Sequence, residues 1–220
     1  GNLFKNVKND GFKLRKFINY ALPVLLQSLA FTSIFTTDLI LVKHFLDPHE
    51  AGLYAALSTL GKIIFFATSP ITGTMFPIVV GKRARGENYK EVFFISFFLT
   101  ITVSLIIVTF YYLFPNLTIG LLYGSKYLAA KDGLVWMGLF MSLYTACYVL
   151  SNFLISIDRL KVVILPALAA MGQIIGIWFY HDSAVEIIKV STLFTGILLG
   201  TLSIYLVYNQ LQRIYETKRV

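Results

Sequence analysis

Six long apolar stretches, separated by short polar gaps, constrain this chain more than any other feature of its sequence. About 20 consecutive apolar residues are enough for a helix to cross the hydrocarbon core of a bilayer. The stretches lie near residues 17–45, 52–80, 91–114, 133–157, 162–180 and 185–208. Only 14% of the residues are charged. The sequence therefore predicts an all-α membrane protein, with residues 1–220 forming a single six-helix transmembrane bundle in a lipid bilayer and no soluble domain.

Lysine and arginine residues are distributed unequally among the gaps. Cytoplasmic gaps of membrane proteins collect Lys and Arg, whereas translocated gaps do not. Of the 19 Lys and Arg residues, 14 lie before the first stretch, in the second and fourth gaps or in the tail. Four lie in or beside the other gaps, and Lys62 lies inside a stretch. We predict a multi-pass protein of the cell (cytoplasmic, or inner) membrane with both termini cytoplasmic. Topology and attraction to anionic lipid explain the basic face, so we predict no nucleic-acid partner.

Two ionisable residues lie inside the apolar stretches and are the first candidates for a functional site. An ion in hydrocarbon costs about 3 kcal/mol, so such groups face a cavity or a partner. Counted from the ends of their stretches, Asp38 lies about 12 Å and Lys62 about 15 Å below the same boundary on neighbouring helices. We expect the two side chains at similar depth. Either they pair to hold the first hairpin together, or they line a pathway.

Smaller polar residues recur at helical spacing in the first, second and fourth stretches, so each stretch has a polar stripe. Three such stripes predict a water-accessible interior. Ser, Thr and Asn in membrane helices also bond to a neighbouring helix or to their own backbone, which is the alternative for the smaller side chains. The candidates for a substrate or ion pathway are Asp38, Lys62, Gln27, Ser58, Ser69 and Asn152.

Prolines and paired glycines within the stretches carry information about helix shape and packing. Pro23, Pro70, Pro77 and Pro166 fall inside predicted spans, where a proline frees a carbonyl group and kinks the helix. The last two stretches each contain a GxxxG pattern, at residues 172–176 and 196–200. We expect both patterns to allow close packing between helices.

The sequence contains no motif that is typical of an enzyme. It has no nucleotide-binding loop and no G-x-S-x-G pattern, and its three histidines lack metal-ligand spacing. Cys147 is the single cysteine, which excludes a disulfide within the chain. We predict that the protein is not an enzyme and has no catalytic residue, metal or cofactor. A coupling ion, H+ or Na+, is left open.

Five segments resemble one family of transporters. The segment DLILVKHFL at Asp38–Leu46, followed by Glu50–Tyr54 and Met75–Pro77, resembles the first hairpin of a half in Wzx-type lipid-linked oligosaccharide flippases. Leu121–Tyr127 and Asn152–Arg159 also resemble that family. These polysaccharide and O-antigen flippases belong to the multidrug/oligosaccharidyl-lipid/polysaccharide exporter superfamily. The resemblance covers nearly the whole chain.

The resemblance implies that the protein flips a polyprenyl-pyrophosphate-linked oligosaccharide from the cytoplasmic to the outer leaflet by alternating access, for cell-surface polysaccharide synthesis. It implies that Lys62 contacts the anionic headgroup, and that Asp38 holds Lys62 or takes up a coupling ion. Family members have twelve to fourteen helices in two similar halves. We therefore expect this chain to be the C-terminal half of such a transporter, or a half that pairs with a second transmembrane half. Its start at Gly1 rather than methionine agrees with a fragment.

Two rival functions remain open. A cation-coupled multidrug exporter of the same superfamily would use Asp38 directly on a cation. An inactive half or membrane scaffold would hold Asp38 and Lys62 as a closed pair without a cavity. The short predicted cytoplasmic gaps disfavour a third function, the membrane part of an ATP-driven exporter.

Overall fold

The computed structural model describes residues 14–217, with side chains described at residue 15 and at residues 17–208. Seven α-helices lie in this range: α1 Leu14–Phe45, α2 Pro48–Ala84, α3 Lys90–Leu113, α4 Pro115–Tyr123, α5 Lys131–Ser156, α6 Ile164–Phe179 and α7 Ala184–Thr217. Two 3-10 helices, Ser125–Ala130 and Leu160–Val163, precede α5 and α6. Six of the helical segments are long and apolar enough to cross a membrane, and the described residues include no strand. The predicted all-α class and the six spans are therefore confirmed.

The turn between α1 and α2 is shorter than the apolar pattern predicts. The Asp47 side chain accepts hydrogen bonds from the backbone N–H groups of His49 and Glu50, at 2.8 and 3.2 Å. Pro48 occupies the first helical position, where its missing N–H has no intrahelical partner to lose. As a result α2 begins at Pro48 rather than near residue 52. We call this end of the molecule the hairpin end, and the opposite end, with the α2–α3 connection 85–89, the basic end.

The prolines have different effects in different helices. α2 stays helical through Pro70 and Pro77. The Ser69 hydroxyl donates to the Phe66 carbonyl, at 3.4 Å, which is the acceptor that Pro70 leaves without its N–H partner. Pro166 is the third residue of α6 and lies in its first turn, where backbone N–H groups have no intrahelical partner. Pro166 still lies inside the spanning segment Leu160–Phe179, as predicted, close to the junction between its 3-10 turn and α6.

Helix α5 lies at the centre of the bundle. It packs most extensively against α2 and α7, and then against α3. Two-thirds of its apolar window is buried, far more than in any other span. Gly61 of α2 lets the two backbones approach, because a Cβ there would lie 2.6 Å from Cγ of Met137 and 2.9 Å from Cγ of Met141.

The two GxxxG patterns behave differently. Gly172 and Gly176 of α6 lie against the ring of Phe194 on α7, and a Cβ at either position would lie about 2.5 Å from that ring. No atom lies within 4 Å of a Cβ built at Gly200, and the contact at Gly196 is an ordinary one of 3.9 Å. Close packing at the first pattern is confirmed, whereas at the second pattern the described part of the chain shows none.

Buried amides tie the outer helices to the bundle. The Ser151 hydroxyl of α5 donates to the Gln27 side-chain carbonyl of α1 at 2.7 Å. The Gln173 amide of α6 donates to the Ser191 hydroxyl of α7 at 2.9 Å. A buried polar group without a partner is unfavourable. Each amide therefore favours the packing of its own helix against the helix that carries its hydrogen-bond partner.

Candidate functional site

The first two spanning helices leave a groove between them that is partly backed by α5. We call it the α1–α2 groove. On α1 it follows one helical face, since Ser28, Thr32, Phe35, Leu39 and Lys43 recur at spacings of three and four residues. Three recesses open along it, one at the hairpin end, one in the middle and one at the basic end. Each recess has a basic side chain in its wall or at its edge.

The middle recess is walled by aromatic rings, and we call it the aromatic recess. Its volume is about 240 Å³. The rings contact one another at centroid distances between 5.1 and 6.3 Å, mostly edge to face. Edge-to-face contacts of this kind hold rings in fixed orientations. The wall is formed by Ser28, Phe31, Thr32, Phe35, Phe65, Tyr144 and Tyr148.

Two tyrosines in this wall differ in their hydroxyl groups. The Tyr144 hydroxyl donates to the Phe31 backbone carbonyl at 3.1 Å and is buried. Among the described residues, no hydrogen bond engages the Tyr148 hydroxyl, and the Tyr148 side chain is only half-buried. The recess therefore offers the Tyr148 hydroxyl, together with the hydroxyls of Ser28 and Thr32, in addition to its ring faces.

Lys62 lies at the edge of the aromatic recess without a carboxylate partner. Its ammonium nitrogen lies over the Phe35 ring, 4.7 Å from the centroid. No Asp or Glu oxygen of the described residues lies within 4.0 Å of that nitrogen. A cation–π contact stabilises an ammonium group by about 0.5–2 kcal/mol, which is less than a buried ion requires. Lys62 is half-buried, so its charge is available to an anion in the groove.

Asp38 lies elsewhere in the hairpin, bonded to Tyr54. Its carboxylate accepts from the Tyr54 hydroxyl at 2.6 Å and from the Leu39 backbone N–H at 2.8 Å. Asp38 and Tyr54 are both buried, with 1% and 0% of their surfaces exposed. The direct ion pair between Asp38 and Lys62, one of the two interpretations of the sequence, is absent.

The early start of α2 explains why Asp38 and Lys62 are separated. Asp38 lies seven residues before the end of α1, a depth of about 10 Å, and Lys62 lies 14 residues into α2, about 21 Å. Tyr54 lies only six residues into α2 and reaches about 9 Å, level with Asp38. The backbones of the two residues therefore differ in depth by about 11 Å, while the Lys62 ammonium group reaches the Phe35 ring, which lies one turn from Asp38.

The recess at the basic end contains an ion pair between two elements. Arg83, at the end of α2, donates to the Asp158 carboxylate in the α5–α6 connection at 2.5 Å. Asp158 has a positive φ of 60°, a conformation that Asp adopts more readily than most residues. The recess has a volume of about 460 Å³ and is lined by Tyr20, Val80, Arg83, Ala84, Ser156 and Asp158.

The recess at the hairpin end is mostly apolar and contains one cation, Lys43. Its volume is about 430 Å³, and its wall is formed by Leu39, Lys43, Leu46, Pro48, Ala51 and Ala55. Arg83, Lys62 and Lys43 thus mark the basic end, the middle and the hairpin end of the same groove. Arg83 is paired with Asp158, whereas no carboxylate of the described residues lies within 4.0 Å of the ammonium groups of Lys62 and Lys43.

The smaller predicted pathway residues are placed differently. Gln27 and Ser58 are buried, and Gln27 is engaged with α5. Ser69 is half-buried on α2, and the Asn152 amide donates to the Tyr148 carbonyl one turn away at 2.8 Å. Neither Ser69 nor Asn152 contributes to the wall of the aromatic recess. The structure therefore does not bring the six candidates together at one point.

Sequence reasoning missed most of the aromatic wall. Phe31 and Phe35 on α1, and Tyr144 and Tyr148 on α5, are aromatic pairs four residues apart, which places each pair on one helix face. In a chain with 15% aromatic residues such pairs are common. The informative signal is that the α1 pair and the α5 pair belong to polar stripes rather than to lipid-facing surfaces. Tyr54 was also not identified from the sequence as the hydrogen-bond partner of Asp38.

The fold and the groove define a multi-pass membrane protein whose spanning helices carry a basic and aromatic cleft. Residues 6–132 match the sequence model of a family described as polysaccharide biosynthesis protein, which covers more than half of the chain. The chain therefore belongs to this polysaccharide biosynthesis protein family. The match includes all of α1 to α4, and with them Asp38, Lys62 and Phe65. No curated protein and no solved structure matches the chain.

Proposed function

We propose that this protein flips a polyprenyl-pyrophosphate-linked oligosaccharide across the cytoplasmic membrane by alternating access, for the synthesis of cell-surface polysaccharide. Its family supports a role in polysaccharide biosynthesis. The single observation that carries the proposal is Lys62, a cation inside a membrane span with no carboxylate within 4.0 Å. A charge without a direct ion pair at this depth is unfavourable unless water or an anionic ligand reaches it.

The groove fits a substrate with an anionic head and an apolar tail. A pyrophosphate needs positive charge and hydrogen-bond donors on its way through the membrane, and a hydrated sugar needs a polar route. The prenyl tail needs neither and can remain in lipid. In the proposed path, Arg83 exchanges Asp158 for the pyrophosphate. The pyrophosphate then passes to Lys62 and Lys43 while α1 and α2 move against a second transmembrane half.

We assign Asp38 to ion coupling rather than to the substrate. Its carboxylate is buried and bonded to Tyr54, so it is separated from the groove in this conformation. Uptake of H+ or Na+ at Asp38 would weaken or replace the Tyr54 bond, and would thereby alter the contact between α1 and α2. The chain in this proposal forms no covalent bond with its substrate and needs no metal or cofactor.

Two further parts of the proposal follow from the distribution of charge and from the family resemblance. We place both termini in the cytoplasm, because 14 of the 19 Lys and Arg residues then lie on the cytoplasmic side or in its gaps. We also propose a second transmembrane half as partner, because the α1–α2 groove is open on the side away from α5. On that side Thr59 is exposed and Thr36 is half-buried.

Proteoliposomes test the proposal directly. The chain, with its second half where one is identified, is supplied with a labelled polyprenyl-pyrophosphate oligosaccharide and a cationic dye. We expect movement of the lipid-linked sugar, and its loss in Lys62→Ala with partial retention in Lys62→Arg. Lys189→Ala is the matched control, since Lys189 also lies over an aromatic ring, that of Trp136 at 5.2 Å. Sugar transport that is equal in Lys62→Ala and Lys189→Ala would contradict the assigned role.

The same assay separates the rival functions. Movement of the dye alone, lost in Asp38→Asn, would make the protein a multidrug exporter. The sealed position of Asp38 argues against this function, because a drug could not contact the carboxylate directly. If neither compound moves in the presence of both halves, a membrane scaffold is the remaining explanation of the protein's function.

A further inference from the structure

We propose that the aromatic recess is a binding site for one sugar ring, and that it receives the saccharide attached to the pyrophosphate. The site lies on the proposed transport path, so the assignment rests on the proposed function. It adds a specificity determinant for carbohydrate, formed by side chains of α1, α2 and α5.

The wall of the recess has the chemistry that sugar rings recognise. A pyranose has a face of C–H groups and an edge of hydroxyl groups. The face of an aromatic ring is negative and attracts the C–H groups, and the contact also buries apolar surface. Phe35, Phe65 and Tyr148 supply such rings from three different helices. Ser28 and Thr32 place hydroxyl groups in the same wall.

A second recess beside α2 has the wall expected of a binding site for a hydrocarbon chain. It lies on the far side of α2, with a volume of about 280 Å³ and no polar surface in its wall. It is formed by Ile63, Ile107, Phe110, Tyr111, Leu117, Thr118, Leu121 and Leu122. The aromatic recess is of similar size but includes polar surface. The polar surface favours a hydroxylated ligand over a lipid chain.

Lys62 fixes which part of the substrate reaches the recess. Its ammonium group lies over Phe35, and Phe35 is itself part of the recess wall. A pyrophosphate bound by Lys62 would therefore place its attached sugar beside the rings. When Lys62 turns toward the anion, the Phe35 ring loses its cation and becomes available to the sugar. Binding of the pyrophosphate and binding of the sugar are thus expected to support each other.

Two lipid probes test this site. One is polyprenyl pyrophosphate without a sugar, and the other is the same lipid carrying a single N-acetylhexosamine. Equilibrium binding of each is measured on the purified protein in lipid nanodiscs. We expect the sugar to increase affinity by roughly threefold to tenfold, the size of one or two ring contacts. Tyr148→Leu and Phe65→Leu should remove this increase and leave the affinity for the sugar-free probe unchanged.

Matched variants separate stacking from other effects. Tyr148→Phe retains the ring and should keep most of the increase, whereas Tyr148→Leu should not. Phe98→Leu removes a ring that is 74% exposed on α3 and should change neither affinity. Lys62→Ala should weaken both probes. Unchanged binding of the sugar-free probe also shows that each variant is folded.

The outcomes distinguish the sugar site from the proposed function. If the sugar-free probe binds and depends on Lys62, but the sugar adds nothing, the aromatic recess is not a sugar site and the flippase proposal stands. The recess is also excluded if the sugar adds the same affinity in Tyr148→Leu and Phe65→Leu as in the unmodified protein. If neither probe binds, the proposed function fails and the sugar site fails with it.

Discussion

The Asp38 carboxylate is accommodated inside a membrane helix by two hydrogen-bond donors, one from its own helix and one from the next. The Leu39 N–H donates at 2.8 Å and the Tyr54 hydroxyl at 2.6 Å. A buried acceptor that loses a donor retains its unfavourable desolvation, about 1–3 kcal/mol. The stability of the hairpin therefore depends on Tyr54 as well as on its apolar contacts.

We expect Tyr54→Phe to lower the free energy of unfolding by about 1–3 kcal/mol, because it removes one donor to a buried carboxylate. Tyr112→Phe is the control, because Tyr112 is 70% exposed. It should change stability by less than about 0.5 kcal/mol. Denaturation midpoints of the purified protein in detergent measure both effects. Equal midpoints for the two variants would show that the bond contributes nothing to stability.

Partners of single residues were harder to predict from the sequence than the residues themselves. The sequence identifies Asp38 and Lys62 as unusual because each is an ionisable group in an apolar stretch. Their partners, however, depend on where α2 begins, and a shift of four residues changes depth by about 6 Å. The Asp47-Pro48 pair is a recognisable helix start. The apolar run, however, begins later and places the predicted start of α2 near residue 52.

The existence of the six spans is the part of the fold that the sequence predicts best. Each span is a long apolar run, and length in a bilayer is a strong physical requirement. The apolar pattern does not predict the short helix α4, although Pro115 at its start and Gly124 after its end, with φ of 82°, are typical boundary residues. Nine residues are too few for a span, so the apolar pattern gave no signal.

The contact between α6 and α7 depends on glycine at one pattern and not at the other. We expect Gly176→Ala to reduce stability by about 1–3 kcal/mol through overpacking, because its Cβ would lie 2.6 Å from Cε2 of Phe194 and 2.8 Å from Cγ1 of Val190. Gly200→Ala should be neutral or slightly stabilising, since no atom lies within 4 Å and alanine favours the helix. Thermal unfolding of both variants in detergent provides the comparison. Equal losses of stability would mean that the Phe194 ring moves aside.

The single cysteine makes the chain suitable for topology mapping. Cys147 is fully buried, and its thiol lies 3.5 Å from the Thr195 carbonyl, so an impermeant maleimide should not reach it. We expect Ser183→Cys, in the α6–α7 connection, to react in intact cells. Asn88→Cys, in the α2–α3 connection, should react only after permeabilisation. Both positions are exposed. The opposite pattern would place the termini outside and would reverse the predicted topology.

In the assembled protein the α1–α2 groove contacts either water or lipid, and its side chains differ in what they reveal about this. The hydroxyl groups on the rim of the groove do not show which environment it contacts. Thr36 and Thr59 each donate to a carbonyl one turn back in the same helix, at 2.8 and 2.9 Å. Such groups are satisfied in either environment. Lys62 does distinguish a hydrated groove from a groove filled with lipid, since its charge is stable only where water or an anion reaches it.

We therefore expect a cysteine at Ser69, half-buried on α2 two turns from Lys62, to react with a small maleimide, which requires a hydrated thiolate. Ile106→Cys is the matched control on α3, where the side chain is 64% exposed and the helix is the most apolar of the six spans. It should stay unreactive, because lipid suppresses ionisation of the thiol. Reaction at Ser69 from one side of the membrane, blocked by the lipid-linked oligosaccharide, would identify the groove as the transport path. Equal protection of both cysteines would mean that Lys62 is enclosed by protein or lipid, and the scaffold function would then be the better explanation.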